Sequence, residues 1–227
     1  MCIRDRHLPA LPWQEVPAFV KALRDREGVS ARALEFLILT AVRSVEAREA
    51  RWEEVDADEQ SWVIPGERMK RGITHRVPLS PAALSILNQM RGLDPSVIFP
   101  SATSDKRGNA RPMSDAVFRA LFDRMGITGI TVHGFRTSFR VWCSEVAHAD
   151  WDVAETALSH AAGNQVARAY ARSDLFDRRR ELMNLWAEYV CGGTHQDTSK
   201  DQKNESLHPT ERPKPKRIKL PKHRDKQ

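Results

Sequence analysis

Four side chains in the second half of the chain could together do chemistry on an anion. His133 and Arg136 stand three residues apart in Val132-His133-Gly134-Phe135-Arg136, a second histidine follows at His160, and Tyr170 lies ten residues beyond it. Residues three apart share a helix face, so His133 and Arg136 can aim at one target. A guanidinium, two imidazoles and a phenol converging on one point suit attack by the phenol on an anionic electrophile. A phosphodiester is the obvious candidate. Taken alone, His-x-x-Arg is a weak signal because it occurs by chance in many helices. The upstream chain must supply the other parts.

The 227 residues are 41% hydrophobic and 29% charged, ample for one core. Lys and Arg total 36 against 30 Asp and Glu, a net charge of +6. Positions 192–227 hold ten Lys and Arg against five Asp and Glu, so the tail carries most of the excess. The body is nearly neutral, and any basic surface on it must come from local clustering. Three cysteines, Cys2, Cys143 and Cys191, are odd in number and lack metal-ligand spacing. Cys143 falls inside an amphipathic pattern and reads as a small buried apolar residue. This usage fits a reducing compartment. With no secretory leader pattern and no apolar run near 18 residues, the expectation is a cytoplasmic protein without a membrane contact.

Residues 1–11 show no periodicity and read as an irregular start. Pro12 to Glu27 predicts a helix with Trp13, Val16, Phe19, Val20 and Leu23 on one side, stopped by Gly28. Ser30 is the expected cap of a second helix to about Val42, apolar nearly all round and therefore buried. Three short β-type runs follow, around Trp52–Val55, Ser61–Pro65 and Thr74–Leu79, predicting a small three-stranded antiparallel sheet. Ser80-Pro81 opens a helix to Arg91, and Ser114 is the expected cap of another to Met125. Thr131 precedes a helix whose stripe of Phe135, Phe139, Trp142 and Val146 reads as core. A helix after Asp150 carries Val153, Ala154 and Leu158, and the pattern breaks at Ser159 to Asn164. A short helix from Gln165 to Arg172 holds Val166 and Tyr170 on one face. Asp174 is the expected cap of the last helix, with Leu182, Met183, Leu185, Trp186 and Tyr189 packing. The expected class is α+β, mainly α: an irregular segment 1–11, a helical domain with a small sheet over 12–191, and a disordered basic tail over 192–227. The Lys214-Pro215-Lys216-Arg217 run resembles a nuclear import signal, but nonspecific attraction to polyanions is the preferred reading.

Two more groups are left over by packing. Arg43 ends the buried helix, where it either pairs with Glu46 or reaches solvent, or else points into a polar cleft. Lys70 lies on a basic hairpin tip, Gly66 to Gly72, either as solvated charge or as a proton donor delivered to a site built elsewhere. Singly, His133 and His160 read as satisfied half-buried histidines and Arg136 as a structural ion pair. Jointly, in the order Arg…Lys…His-x-x-Arg…His…Tyr, they read as a site.

That order resembles the signature of the tyrosine recombinases, the phage-type integrases. "LTAVRSVEAR", "ERMKRGITHRVPLS", "VHGFRTSFRVW" and "LSHAAGNQVARAY" are similar to its motifs, and "DLFDRRRELMNLWAEYV" to the domain end in integrases of prophages and genomic islands. Val45 departs from the pattern, standing where many relatives carry Gly. The resemblance covers roughly residues 8–191. It implies the DNA breaking-rejoining fold and site-specific recombination by direct transesterification, with neither cofactor nor metal. Tyr170 would attack the phosphate to give a 3′-phosphotyrosyl link, and Arg43 and Arg136 would clamp the non-bridging oxygens. Lys70 would protonate the departing 5′-oxygen, His133 would assist proton movement at Tyr170, and His160 would bond a phosphate oxygen. The implied partners are double-stranded DNA at attachment sites, a homotetramer on that DNA, and accessory DNA-bending proteins. The implied place is the bacterial cytoplasm, at the nucleoid. Tyr189, the only other tyrosine, has packing neighbours at helical spacing. Two further readings are a truncated remnant lacking the upstream DNA clamp of its relatives, which binds DNA without recombining it, and a topoisomerase with the same covalent chemistry.

Overall fold

Everything is arranged around one buried helix. In the computed structural model, residues 9–160 and 173–192 are described. Helix α1 (Val16–Arg24), preceded by a single 3-10 turn at Trp13–Glu15, packs on α2 (Val29–Thr40). Ala33, Leu34, Phe36, Leu37, Ile38 and Leu39 of α2 are all buried. Its one acidic residue, Glu35, is 2% exposed and is held by Arg24 at 2.6 Å and Arg32 at 2.9 Å. The cap falls two residues before the expected Ser30, because Gly28, at φ +103°, takes the turn that a side chain would resist. It ends at Ala41, which is left-handed at φ 52°. The sequence pattern ran on to Val42, and an alanine gives no warning of such a turn.

A short helix α3 (Ser44–Arg48) follows at once, then the antiparallel sheet of β1 (Val55–Asp56), β2 (Ser61–Ile64) and β3 (His75–Pro78) in that order. Trp62 faces Val77 across the central pair, and Ile64 faces His75. In β3 the inward set is His75 and Val77, so strand alternation puts a histidine into the core. Helix α4 (Pro81–Met90) starts as expected: Ser80 Oγ accepts from Ala83 N at 3.3 Å, with proline at the first position. Helix α5 (Val117–Met125) starts two residues later than expected and its cap, Ala116, makes no side-chain bond, so Ser114 contributes only its carbonyl.

Helix α6 (Gly134–Glu145) carries the central motif and is gripped from both chain ends. Thr131 Oγ1 accepts from Gly134 N at 3.0 Å, but the cap position is His133, two residues later than expected. Phe139 and Trp142 of α6 pack on Trp186 of α8 (Phe176–Val190), with the Trp142 and Trp186 rings 5.0 Å apart. The aromatics are core, as their spacing predicts. Leu185 is not: it is 38% exposed, and Ala187 and Val190 complete the buried face of α8 instead. Asp174 Oδ1 accepts from Phe176 N at 3.2 Å, but the cap is Leu175, one residue later than expected and left-handed at φ 55°. Helix α7 (Trp151–Ala157) lies between α6 and α8. The expected helix around Tyr170, and nearly all of the tail, lie outside the described residues. Among those described, no helix is long and apolar enough to cross a membrane.

Residues 9–11 form no regular element, yet they are fixed to α6. Pro9 O accepts from Thr131 N at 3.0 Å, and Leu11 O accepts from the Ser138 hydroxyl. A Cβ on Gly134 would stand 2.5 Å from Pro9 O and 2.8 Å from Ala10 Cα, so only glycine lets the segment lie there. Gly→Ala at the start of a helix normally stabilises. Here Gly134→Ala should destabilise by about 1–3 kcal/mol through overpacking against backbone, read as a fall in the urea midpoint. A midpoint equal to or above the parent would show that the segment does not pack on α6.

Candidate active site

The left-handed turn at Ala41 sends the chain out of the core and into α3, whose first cap is Arg43. One turn on, buried Glu46 accepts from Arg43 N at 2.7 Å and from its guanidinium at 2.9 Å. The pairing considered from sequence therefore exists, and the same side chain also faces the polar cluster below. Val45 lies on the outside of α3, 39% exposed, and the turn that aims Arg43 falls at Ala41. A valine at this position leaves that turn intact.

Arg136 reaches the same place from α6. It is 3% exposed, and its guanidinium donates to the carbonyls of Ala41 and, at 2.5 Å, Leu158. These are the last carbonyls of α2 and α7, where unsatisfied acceptors and the negative end of the peptide dipoles favour a cation. The same nitrogen meets His160 Nε2 at 3.2 Å, and His160 Nδ1 lies 2.8 Å from Glu155. Burial, then the charge of Arg43, pushes Arg136 down to about 10, so it remains charged at neutral pH. Its Nε–H is buried without a partner among the described residues. Two of five donors are bound by carbonyls, leaving capacity for an incoming oxyanion.

His133, at the cap of α6, is exposed on one side. Its pKa lies below the ordinary value because of the covered part of its ring, and then because of the charges of Arg136, Arg43, His160 and Lys70. All four sequence-predicted neighbours thus bear on one imidazole, and a neutral imidazole can take a proton. Lys70 itself is exposed on the β2–β3 hairpin, whose base is anchored. Arg68 pairs with Glu54 and donates to Glu46 O at 2.8 Å, and Met69 is 5% exposed. Five of the six predicted residues are therefore gathered from four stretches of chain. Tyr170 lies outside the described residues.

Three supporting side chains escaped the sequence reading. Arg68 ties the hairpin to α3 and looked like one more solvated charge. Glu155 holds His160. His75 is 8% exposed and donates to the Ala157 carbonyl, one residue before the carbonyl that holds Arg136. Strand alternation in Thr74-His75-Arg76-Val77 could have shown His75 facing inward. No group of three or more His, Cys, Asp or Glu side chains able to hold a metal ion occurs among the described residues. The assembly is a cluster of fixed cations with a neutral imidazole, suited to an anion that gains charge during reaction.

Burial first, then the charge of Arg179, holds His75 down at about 3; Arg136 and Arg43 push the same way less strongly, and only the Ala157 bond opposes them. The folded histidine stays neutral while the unfolded one takes up a proton below about 6.5. Its contribution to stability is therefore complete above that pH and is lost on acidification, at up to about 1.4 kcal/mol per pH unit. His75→Gln keeps a donor but cannot titrate. The variant should lose less stability than the parent between about pH 7.5 and about pH 5 in urea titrations; equal losses would refute a buried neutral His75.

Residues 10–175 match the phage integrase family. The chain is 36% identical over 192 residues to the prophage integrase IntA of Escherichia coli (strain K12), covering 82% of this chain and 45% of that protein. It is 35% identical over 207 residues to the integrase of Enterobacteria phage P4, covering 82% and 46%. The chain thus spans about half the length of the curated relatives it matches. Among solved structures, an integrase from mycobacterium phage Brujita superposes with a TM-score of 0.59 at 20% identity, over 80% of this chain and 59% of that one. XerH site-specific recombinase bound to difH substrate superposes at 0.51 and 18% identity, over 78% and 54%. These likenesses give the fold, a mainly helical α+β domain with a three-stranded antiparallel sheet. The family match runs from the segment docked on α6 to the turn before α8, and the chain belongs to the phage integrase family.

Proposed function

We propose that this chain carries out site-specific DNA recombination, integrating or excising a mobile element by metal-free transesterification. The observation that carries this reading is the convergence of Arg43, Lys70, Arg136 and His160 on His133. Arg136 and Arg43 hold the non-bridging oxygens of the scissile phosphate and offset the charge that builds on them. The Tyr170 oxygen attacks phosphorus, its proton passing towards His133. The bond to the 5′-oxygen breaks, and that oxygen takes a proton from Lys70. A 3′-phosphotyrosyl link and a free 5′-hydroxyl result, and attack by a 5′-hydroxyl reverses the step. One phosphodiester is exchanged for another, so no nucleotide energy source enters the balance. His160, whose Nε2 lies 3.2 Å from Arg136, bonds a phosphate oxygen.

The partner is double-stranded DNA carrying attachment sites, and the working assembly is a homotetramer. Two fold neighbours were solved on such partners, XerH on difH and a lambda integrase tetramer on a Holliday junction. Accessory DNA-bending proteins and a cytoplasmic, nucleoid-associated location belong to the same proposal.

The decisive experiment traps the covalent intermediate. The protein is incubated with nicked suicide duplexes drawn from the two ends of the element that encodes it, and adducts are resolved on a denaturing gel. Tyr170→Phe should abolish the adduct and Arg136→Ala should reduce it by about a hundredfold or more. Tyr189→Phe should retain it, because the Tyr189 hydroxyl bonds Trp13 O at 3.2 Å and burial raises its pKa, both unfavourable for a nucleophile. An adduct that survives Tyr170→Phe, or one lost in a folded Tyr189→Phe protein, would overturn the assignment.

A further inference from the structure

Arg68 lies two residues before Lys70, and the proposed reaction gives it no task. It stands in the single 3-10 turn Gly66–Arg68 that opens the β2–β3 hairpin, with its side chain 15% exposed. Two separate elements hold its guanidinium. One nitrogen pairs with Glu54 Oε1, and another donates to the Glu46 carbonyl at 2.8 Å. Both glutamates are buried, and each acceptor is available for a local reason. Glu54 ends the turn before β1, where its Oε2 accepts from Trp62 Nε1 at 2.9 Å and from Arg51 N at 3.1 Å. Its Oε1 is left for Arg68. In a longer helix Ala50 N would close on Glu46 O, but α3 stops and Ala50 N bonds Ala47 O instead at 3.3 Å. The Glu46 carbonyl is left over, and Arg68 takes it.

These contacts tie together two cations that lie far apart in sequence. Glu46 accepts from Arg43 through its carboxylate and from Arg68 through its backbone, so one short helix holds both Arg43 and the hairpin. Between Arg68 and Lys70 little can move. Arg68 N donates to Pro65 O at 3.0 Å, Met69 N donates to Gly66 O at 2.9 Å, and the Met69 side chain is buried. Gly72 N then donates to Met69 O at 2.9 Å, closing a four-residue turn with Lys70 at its second position. Arg68 and Met69 thus fix the point from which the Lys70 side chain swings.

We propose that Arg68 is a positioning residue: by gripping Glu54 beside the sheet and Glu46 of α3 at once, it sets where Lys70 stands relative to Arg43, and so where the departing 5′-oxygen meets its proton. Arg68 itself touches no substrate. The role rests on the phosphoryl-transfer reading, in which Lys70 is the donor. A lysine at position 68 could keep the pair with Glu54, but a single ammonium does not span both acceptors as a guanidinium fork does.

The test compares two leaving groups in the covalent-adduct assay, using the full chain. In a second suicide duplex, sulfur replaces the 5′-oxygen that departs. When the phosphorus–sulfur bond breaks, sulfur keeps the electron pair and leaves as a thiolate without a proton, since thiols ionise at about 8.5 and alcohols far higher. Lys70→Ala should lose about a hundredfold or more with oxygen and come within about threefold of the parent with sulfur. Arg68→Lys should lose about tenfold or more with oxygen and likewise recover with sulfur. In a Lys70→Ala background, Arg68→Lys should cost nothing further with oxygen. Arg136→Ala should stay slow with both, because the phosphate clamp is needed whichever atom leaves. A merely structural Arg68 would slow both substrates alike. The proposal is overturned by an Arg68→Lys protein that matches the parent with oxygen, or by one equally slow with both. Glu54→Gln, which weakens the grip but keeps Arg68, should show the same oxygen-selective loss and decides if Arg68→Lys does not fold. Failure of Lys70→Ala to recover with sulfur would remove Lys70 as donor and this proposal with it, while the Tyr170 adduct would stand. If the parent forms no adduct with either duplex, the recombinase reading itself fails and takes the proposal with it.

Discussion

A charged guanidinium at 3% exposure is costly to bury, and the way Arg136 is accommodated determines much of the site around it. Two helices stop against it. The last carbonyls of α2 and α7 need donors, and Arg136 needs acceptors, so each solves the other's problem. The same bonds fix the separation of Ala41 and Leu158, 117 positions apart in sequence, and hence the places from which Arg43 and His160 depart. Removing Arg136 would therefore leave two buried carbonyls without partners as well as removing a cation. Its structural and chemical contributions are bound to one group, and only experiments that read fold and chemistry separately can divide them.

Around that group the protein satisfies charge in pairs without cancelling it. Arg43 has Glu46, His160 has Glu155, and Arg68 has Glu54. Each carboxylate fixes a side chain that would otherwise sample several rotamers. His133 still experiences four basic neighbours at once and has a lowered pKa. This is how a body of nearly zero net charge presents a locally positive site, and it explains why net charge alone said so little about its partner.

Much of the fold could be read from residue order. The all-apolar run Leu34–Leu39 marked a buried helix, Ser80-Pro81 marked a helix start, and the aromatic stripe of α6 marked core. The candidate site could be read as a list, but its geometry could not. Three of the turns that shape it, at Ala41, Ser159 and Leu175, are left-handed without glycine or asparagine, so no local signal marked them. That is why α2 seemed to continue into Val42, and why Glu155, five positions before His160, fitted no helical spacing. Arg68 and His75 were missed for a different reason: each acts by grasping a distant carbonyl, a role that any arginine or histidine could have. Ser30 and Ser114 had cap-like positions, but Gly28 and a chain bend at 114–116 took the turns instead.

The hairpin between β2 and β3 has a consequence in conformational entropy. Its neck is closed where a Cβ on Gly66 would meet Gly72 O at 2.6 Å, and Arg68 and Met69 pin one side to α3 and the core. Ordering a residue costs roughly 1–2 kcal/mol, and for most of this loop that cost is already met by folding. Lys70 to Thr74 are exposed, and Gly72 N donates back to Met69 O at 2.9 Å. An ammonium carried there searches a short arc instead of a free loop's volume, so bringing it to a leaving oxygen costs the ordering of a few residues. In the proposed reaction the tip can shift without disturbing the cations held beneath it, because the base of the hairpin is tied to α3.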